Sequence, residues 1–407
     1  MASASRRLGA ALLALGLISA GCSRSDSDGG DTKGDDGPTS TVAAEVENSK
    51  AFDLDAPVKI VALISDPENS SDGNAIADFN DGARMAIEEI NEADGLGGHD
   101  VELVTIDTPP VGDEVVNAFN LAVAEKPTAI VGPVSSTATL AIADRAADEE
   151  IPLIHNSTAP ALAADGEAGN EWVFASRPRN DEAATAAATF LTEELGAKKV
   201  GLLSVNASFG QQGVAAAKEA LGDAAGTERS FEFNATNLTE PIQAMDGSDA
   251  VFDWGTPNTL AAAVVAGAQQ GLDVPHMGPG SIGFSSFQSG VGDDSVLENV
   301  YGTVDCIPTD DDRGYVGEWA DRFEAKYGYA PSYSSAELYD SVYLLRQVIE
   351  DAESADPTAI RDGLSTVESK TGICAVEYRN DNGFLIQEST VGRYEGGEFV
   401  AVKRYGG

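Results

Sequence analysis

The run Val58-Lys-Ile-Val-Ala-Leu-Ile64, followed after a loop by Asp81-Gly-Ala-Arg-Met-Ala-Ile-Glu-Glu-Ile-Asn-Glu-Ala93, decides the fold. The first run is apolar apart from Lys59 and rich in β-branched residues, as a strand buried on both faces must be. In the second, Ala83, Ala86, Ile87 and Ile90 recur at i, i+3, i+4 and i+7, one face of a helix that ends near Gly95. A strand handing over to an amphipathic helix is one β-α unit, and the same rhythm continues outward. Residues 101–106, 128–131 and 152–155 read as strands, with helices over 114–125 and 137–149 between them. The pattern restarts after Arg177-Pro178. It gives a helix over 181–195, a strand over 199–205, a helix over 211–221 and strands over 230–233 and 250–254, then a helix over 258–270 and a strand over 274–278. Such alternation predicts an α/β fold of two domains, each with a parallel sheet covered on both faces, and a boundary near residues 174–180. The tail breaks the rhythm: 315–327 and 336–352 are helical with no strand between, and strands return at 375–378, 388–394 and 399–404. This is too little for a third domain. The tail is expected to complete the two lobes, so that the chain crosses between them more than once and forms a hinge.

Composition narrows the function. The 407 residues are 42% hydrophobic, which excludes wholesale disorder, and 67 Asp+Glu against 25 Lys+Arg give a formal net charge of −42. Nucleic acid would be repelled over most of such a surface, and the excess favours a soluble monomer in a medium whose salt screens it. Three His and three Cys without a CxxC pair leave no expected metal centre.

Residues 1–21 read as a signal peptide, with Arg6-Arg7 ahead of the apolar run from Leu8 to Ala20. That run of thirteen residues is about 20 Å long as a helix, short of a hydrocarbon core of roughly 30 Å. Its end, Ile18-Ser-Ala-Gly-Cys22, resembles a bacterial lipobox, although Ser19 stands where Leu is usual; the resemblance implies acylation of Cys22. A chance cysteine in an ordinary cleavable signal is the alternative. Residues 22–56 are mostly Ser, Asp, Gly, Thr and Glu and read as a flexible tether. The chain is thus expected outside the cytoplasm, anchored to the membrane by lipid.

In parallel sheets ligands bind beyond the carboxyl ends of the strands. The third strand leads into Gly132-Pro-Val-Ser-Ser-Thr-Ala-Thr139 and the fourth into His155-Asn-Ser-Thr-Ala-Pro160, two hydroxyl-rich loops of which the first opens a helix. Hydroxyls and free N–H groups at the positive end of a helix suit a carboxylate or phosphate. Taken singly, Ser136 or Thr137 equally suits a helix cap. Neither loop has Walker A or GxGxxG spacing, which disfavours a nucleotide, and no cofactor is expected. Asp66 and Asp72, after the first strand, are weaker candidates for the same cleft.

The body from residue 57 onward resembles the extracytoplasmic solute-binding proteins of branched-chain amino-acid ABC transporters, the leucine-binding family of type I periplasmic binding proteins. The matching stretches are Asn80-Asp-Gly-Ala-Arg-Met-Ala-Ile-Glu-Glu-Ile-Asn91 with Gly95-Leu-Gly-Gly98, Ile130-Val-Gly-Pro-Val-Ser-Ser136, Ile151-Pro-Leu-Ile154, Phe323-Glu-Ala-Lys-Tyr-Gly-Tyr-Ala-Pro331 and Glu337-Leu-Tyr-Asp340. The resemblance implies two Rossmann-like lobes with parallel sheets joined by a three-crossover hinge. Lobe 1 would be 57–175 plus about 308–372, and lobe 2 would be 176–307 plus about 373–407. It implies further that Ser136 and Thr137 hold a ligand's carboxylate, with Ser157 and Thr158 as the second loop. Phe209 would stand where Tyr is often found. Gly280, in Met277-Gly-Pro-Gly280, stands where amino-acid binders often carry an acid for the ammonium, and a buried ammonium without a partner is costly. Asp253, with Trp254 as a possible wall, is the substitute; a helix cap or solvated acid, and core packing, are the respective alternatives. Cys306 and Cys374 fall near the second and third crossovers in this layout, and outside the cytoplasm a disulfide between them is expected, two buried free thiols being the alternative. The implied partners are a small-molecule ligand, foremost a branched-chain or related amino acid, and an ABC permease.

Two other functions fit the same residues. No GxSxG, HExxH or CxxC motif is present, and His155 is the only His near a hydroxyl nucleophile, Ser136, so an enzyme is not expected. A sensor signalling to a membrane receptor would use the same clamp, and a carboxylate or amide other than an amino acid would fit the same loops.

Overall fold

A computed structural model describes residues 52–64, 73–109, 112–369, 372–374, 378–385 and 388–405. Cys22, the signal and most of the tether, as well as Asp66 and Asp72, lie outside the described residues.

Strand β1 (Lys59–Leu63) sits inside a five-stranded parallel sheet of order β2-β1-β3-β4-β5, with β2 (Glu102–Ile106), β3 (Ala129–Val131), β4 (Leu153–His155) and β5 (Val173–Ala175). Its unbroken apolar run is explained by two cores. Ile60, Ala62 and Ile64 point into one and Val61 and Leu63 into the other, as period-two alternation requires. Helix α1 (Gly73–Glu92) packs on the first face, and α2 (Glu114–Ala124) and α3 (Ser136–Asp148) pack on the second.

The second lobe begins with α4 (Asn180–Thr189), which runs on as a wider π-helical turn over Phe190–Glu194. It continues through β6 (Val200–Val205), α5 (Ser208–Leu221), β7 (Ala225–Phe231), α6 (Thr239–Gln243), β8 (Ala250–Trp254), α7 (Pro257–Gln270) and β9 (His276–Gly278). Helices α8 (Ser285–Val291) and α9 (Asp294–Leu297) then lead to β10 (Val300–Val304). The tail adds α10 (Gly314–Tyr327), α11 (Tyr333–Ala352) and α12 (Pro357–Thr366), then the short pair β11 (Glu368–Ser369) and β12 (Tyr378–Arg379). It closes with β13 (Ser389–Glu395) and β14 (Glu398–Tyr405). The second sheet has the order β14-β13-β10-β9-β8-β6-β7. It is parallel from β10 to β7, but β13 and β14 join it antiparallel, so the sheet is mixed rather than purely parallel.

The tail does divide between the lobes. Helices α10 and α11 bury Trp319, Phe323, Leu338 and Tyr339 in the first lobe's core, and β13 and β14 extend the second sheet. The division expected at 372/373 lies later in the chain, because Ile373, Tyr378 and Leu385 are also buried in the first lobe. Asp340 of α11 holds this segment, accepting from the N–H groups of Ile373 at 2.9 Å and Cys374 at 2.8 Å and from the Tyr378 hydroxyl at 2.5 Å. Residues 383–385 then run beside β5, with Ala175 N–H donating to Gly383 O and Leu385 N–H to Ala175 O. The body also starts earlier than 57: Phe52 and Leu54 pack on the core, and Leu54 N–H donates to Gly97 O at 3.0 Å. The chain therefore passes between the sheets after β5 and after β10, and the described residues up to Leu385 lie beside β5 while Ser389 opens β13 of the second sheet. At the second passage Cys306 is joined to Cys374 by a disulfide with Cα atoms 5.2 Å apart.

Candidate ligand cleft between the lobes

The carboxyl end of β1, at Leu63 and Ile64, and the loops after β2, β3 and β4 meet the loops after β6, β7, β8 and β9 around a cavity of about 190 Å³. Both sheets thus present their carboxyl ends to one space, the arrangement that favours a ligand site.

One end of the cavity is hydroxyl-rich. Gly132, just past β3, has φ +79°, and a side chain there would meet Leu63 O at 2.4 Å, so only glycine lets the loop pass the end of β1. The helix cap is Ser135, whose Oγ accepts from Ala138 N–H at 3.4 Å. Ser136 and Thr137, in the first turn of α3, line the cavity together with Ser135. Thr158 reaches the same wall from the loop after β4. Its carbonyl accepts from the N–H of Asn180 at 2.8 Å, and the Asn180 side chain in turn donates to Phe209 O at 2.9 Å and accepts from Trp254 Nε1 at 2.7 Å. Asn180 therefore joins the first-lobe hydroxyl loop to the second-lobe aromatic wall.

That wall is apolar. Phe209 and Phe233 line it from the second lobe, as does Phe284, which packs on Phe79 of α1 with ring centroids 6.0 Å apart. Trp254 does not reach the cavity. It is fully buried, stacked at 4.6 Å on Phe252 and backing Phe209 at 6.0 Å, so it is a core residue that supports the wall rather than forming it.

Asp253 also lies off the cavity. Alternation along β8 turns it to the face of Val251, where it is 0% exposed and its Oδ2 sits 3.3 Å from His276 Nε2. Burial raises its pKa, against the lowering effect of His276. The strand continues past it, and Gly255 and Thr256 are the residues that meet the cavity. Ser157 likewise turns inward: it is 1% exposed, its N–H donates to His155 Nδ1 at 3.2 Å, and it is not at the cavity wall. His155 is fully buried, and burial pushes its pKa down to about 3, so it stands as a neutral core group rather than beside Ser136 in the cleft.

The sequence reading did not single out Phe79, Phe233 and Phe284 of the wall, nor Arg177, Tyr333 and Glu337. Arg177, read only as part of a domain boundary, lines the cavity and donates through Nε to Asp305 at 2.6 Å, with Glu337 at 3.6 Å. Burial opposes its charge, but Asp305, Tyr333 and Glu337 more than offset this and hold it protonated. Tyr333, the first residue of α11, lies under the guanidinium at 4.6 Å and also lines the cavity; burial keeps its phenol protonated. Glu337, one turn further on, is fully buried and accepts from Asn156 Nδ2 at 2.9 Å, and burial together with Asp305 drives its pKa well up. The missed signal is the helical spacing of Tyr333 and Glu337 on one face, which aims both at the crossing segment that carries Arg177. Tyr333 also accounts for Gly280. A side-chain carbon at 280 would lie 2.9 Å from the Tyr333 hydroxyl and 3.0 Å from its ring, so the phenol occupies the space an acid there would need.

Residues 57–398 match the family described as periplasmic binding protein. A relative from Pseudomonas aeruginosa, described as a leucine-, isoleucine-, valine-, threonine- and alanine-binding protein, is 27% identical over 311 residues, covering 74% of this chain and 81% of its own. The solved structure of the branched-chain amino acid transporter substrate-binding protein LivJ from Streptococcus pneumoniae, in complex with isoleucine, superposes with a TM-score of 0.77 at 23% identity, covering 86% of this chain and 100% of that one. A solute-binding protein of an ABC transporter from R. palustris, in complex with benzoate, gives a TM-score of 0.75 at 15% identity over 86% of this chain and 96% of its own.

Proposed function

Because the chain belongs to the periplasmic binding protein family, we propose that it captures a small carboxylate with an apolar body between its lobes outside the cytoplasm and delivers it to an ABC permease. The branched-chain amino acids fall in this class. The carrying observation is the make-up of the cavity: Ser136 and Thr137 at the start of α3 and Thr158 after β4 line it from one lobe, and Phe209, Phe233 and Phe284 line it from the other. A carboxylate fits the first end, where hydroxyls and the helix terminus favour negative charge. A branched or aromatic body fits the second. The two ligands seen in proteins of similar fold, isoleucine and benzoate, share this division into acid and apolar body. Acyl chains on Cys22 would hold the protein at the membrane, and the tether would let the body reach its permease.

A thermal-shift screen of the full chain against aliphatic, aromatic and amino acids tests the reading, since a ligand that binds only the native state raises the melting temperature by mass action. At least one small carboxylate is expected to shift it. Thr158→Ala is expected to weaken that ligand by about 1.5–3 kcal/mol, the worth of a hydrogen bond to a charged group. No shift with any carboxylate, or an affinity untouched by Thr158→Ala, contradicts the proposal.

A further inference from the structure

We infer that the cleft selects carboxylates that carry no ammonium group, a branched aliphatic or aromatic monocarboxylate in preference to the α-amino acid with the same body. The inference rests on the ligand site proposed above and turns on its other charges. An amino acid would bring a positive charge within a few ångströms of its carboxylate, and that charge needs an anion or several acceptors once buried.

Three observations place something else there. At Gly280 the available volume belongs to Tyr333, whose hydroxyl and ring stand 2.9–3.0 Å from where a side chain would begin. The wall at this point is a neutral phenol carried in from α11 of the opposite lobe. Over that phenol lies Arg177, a cation that itself lines the cavity. Its ion-pair partner Asp305, and Glu337 beside it, are buried and are not among the residues that line the cavity, so the charged side chain lining this part of the wall is Arg177. A ligand ammonium here would meet a like charge. Third, Asp253 is fully buried in the second lobe, with Oδ2 3.3 Å from His276 Nε2, and is not among the residues that line the cavity. Among the described residues at the cavity wall, the ionisable side chains are Arg177 and Tyr333. A ligand with one negative end and an uncharged body asks nothing more of this wall than Phe79, Phe209, Phe233 and Phe284 supply.

Calorimetric titration of the full chain with matched pairs decides the matter. The pairs are 4-methylpentanoate and 4-methyl-2-oxopentanoate against leucine, and 3-phenylpropanoate against phenylalanine. The acid without an ammonium is expected to bind at least about tenfold tighter than its amino-acid partner. Equal affinity, or a tighter amino acid, overturns the inference while leaving the carboxylate site in place. Absence of binding by every member removes the site and the inference with it. In the double variant Gly280→Asp, Tyr333→Ala an acid gains the room the phenol held, and the preference within each pair is expected to move about tenfold toward the amino acid. An unmoved ratio in the folded variant also overturns the inference. Should that variant fail to fold, the wild-type ratio alone decides.

Discussion

His155 shows how a polar side chain in a binding-loop sequence can serve the core. Its ring is fully buried at the end of β4 and its pKa falls from an ordinary 6.5 to about 3. The folded chain therefore refuses a proton that the unfolded chain accepts below pH 6.5, so this stability is present above that pH and is lost as pH falls toward 3. Between pH 7 and 5 the loss amounts to about 2 kcal/mol. Asp340 works in the opposite direction: burial raises it from 3.8 to about 6, so its contribution is present at low pH and is lost as pH rises through that window. Substitution separates the two. Urea unfolding of wild type and His155→Gln at pH 7 and 5 is expected to show the stability gap between them narrowing by about 2 kcal/mol at the lower pH, and a constant gap refutes the assignment. The same scale explains which site residues could be read in advance. Ser136, Thr137 and Thr158 follow from the loops at strand ends, and Phe209 from the family resemblance, and all four line the cavity. Asp253 and Trp254 did not, because β8 is committed to the core through Trp254 and alternation sends its side chains to buried faces before the loop begins. Arg177 and Tyr333 are far apart in sequence and meet through the fold, the local trace being the helical spacing of Tyr333 and Glu337 on one face of α11.

At the scale of elements, α11 does the most to unite the molecule. It is buried along nearly its whole length, and two of its acids are partnered at its neighbours: Glu337 with Asn156 beyond β4, Asp340 with the backbone before β12. Tyr333 at its first turn reaches the cleft. The disulfide acts on the same segment, linking Cys374 to the second crossing at Cys306 across a sequence separation of 68. A loop of that length predicts up to about 4 kcal/mol of stabilisation through the unfolded chain. Replacing both cysteines by alanine is expected to lower unfolding free energy by an amount approaching this, measured by denaturant titration; unchanged stability would show that Asp340 and the surrounding core already fix the segment. Long periodic elements were the legible ones, as with α1, α10 and α11. The strands β5 and β10 were not, β5 because Val173–Ala175 is too short to show a period and β10 because Gly302 interrupts its apolar run.

For the whole molecule, two α/β lobes and a chain that crosses between them could be read from the alternating runs and the helical tail. The third crossing could not be placed, since Ile373 and Cys374 are held by hydrogen bonds to Asp340, and Gly383 and Leu385 by hydrogen bonds to Ala175, none of which leaves a trace in local sequence. Two of the passages between the sheets carry the cleft's supports: the first carries Arg177, the second Asp305, to which Arg177 donates, and Cys306. A ligand that touches Thr158 on one lobe and Phe209 on the other therefore bridges the hinge, and closed lobes are the state it favours. Small-angle X-ray scattering of the full chain, with and without a saturating carboxylate found in the thermal screen, tests this most directly. A smaller radius of gyration in the presence of ligand is the expected result, and an unchanged radius at saturation would contradict capture by closure of the two lobes.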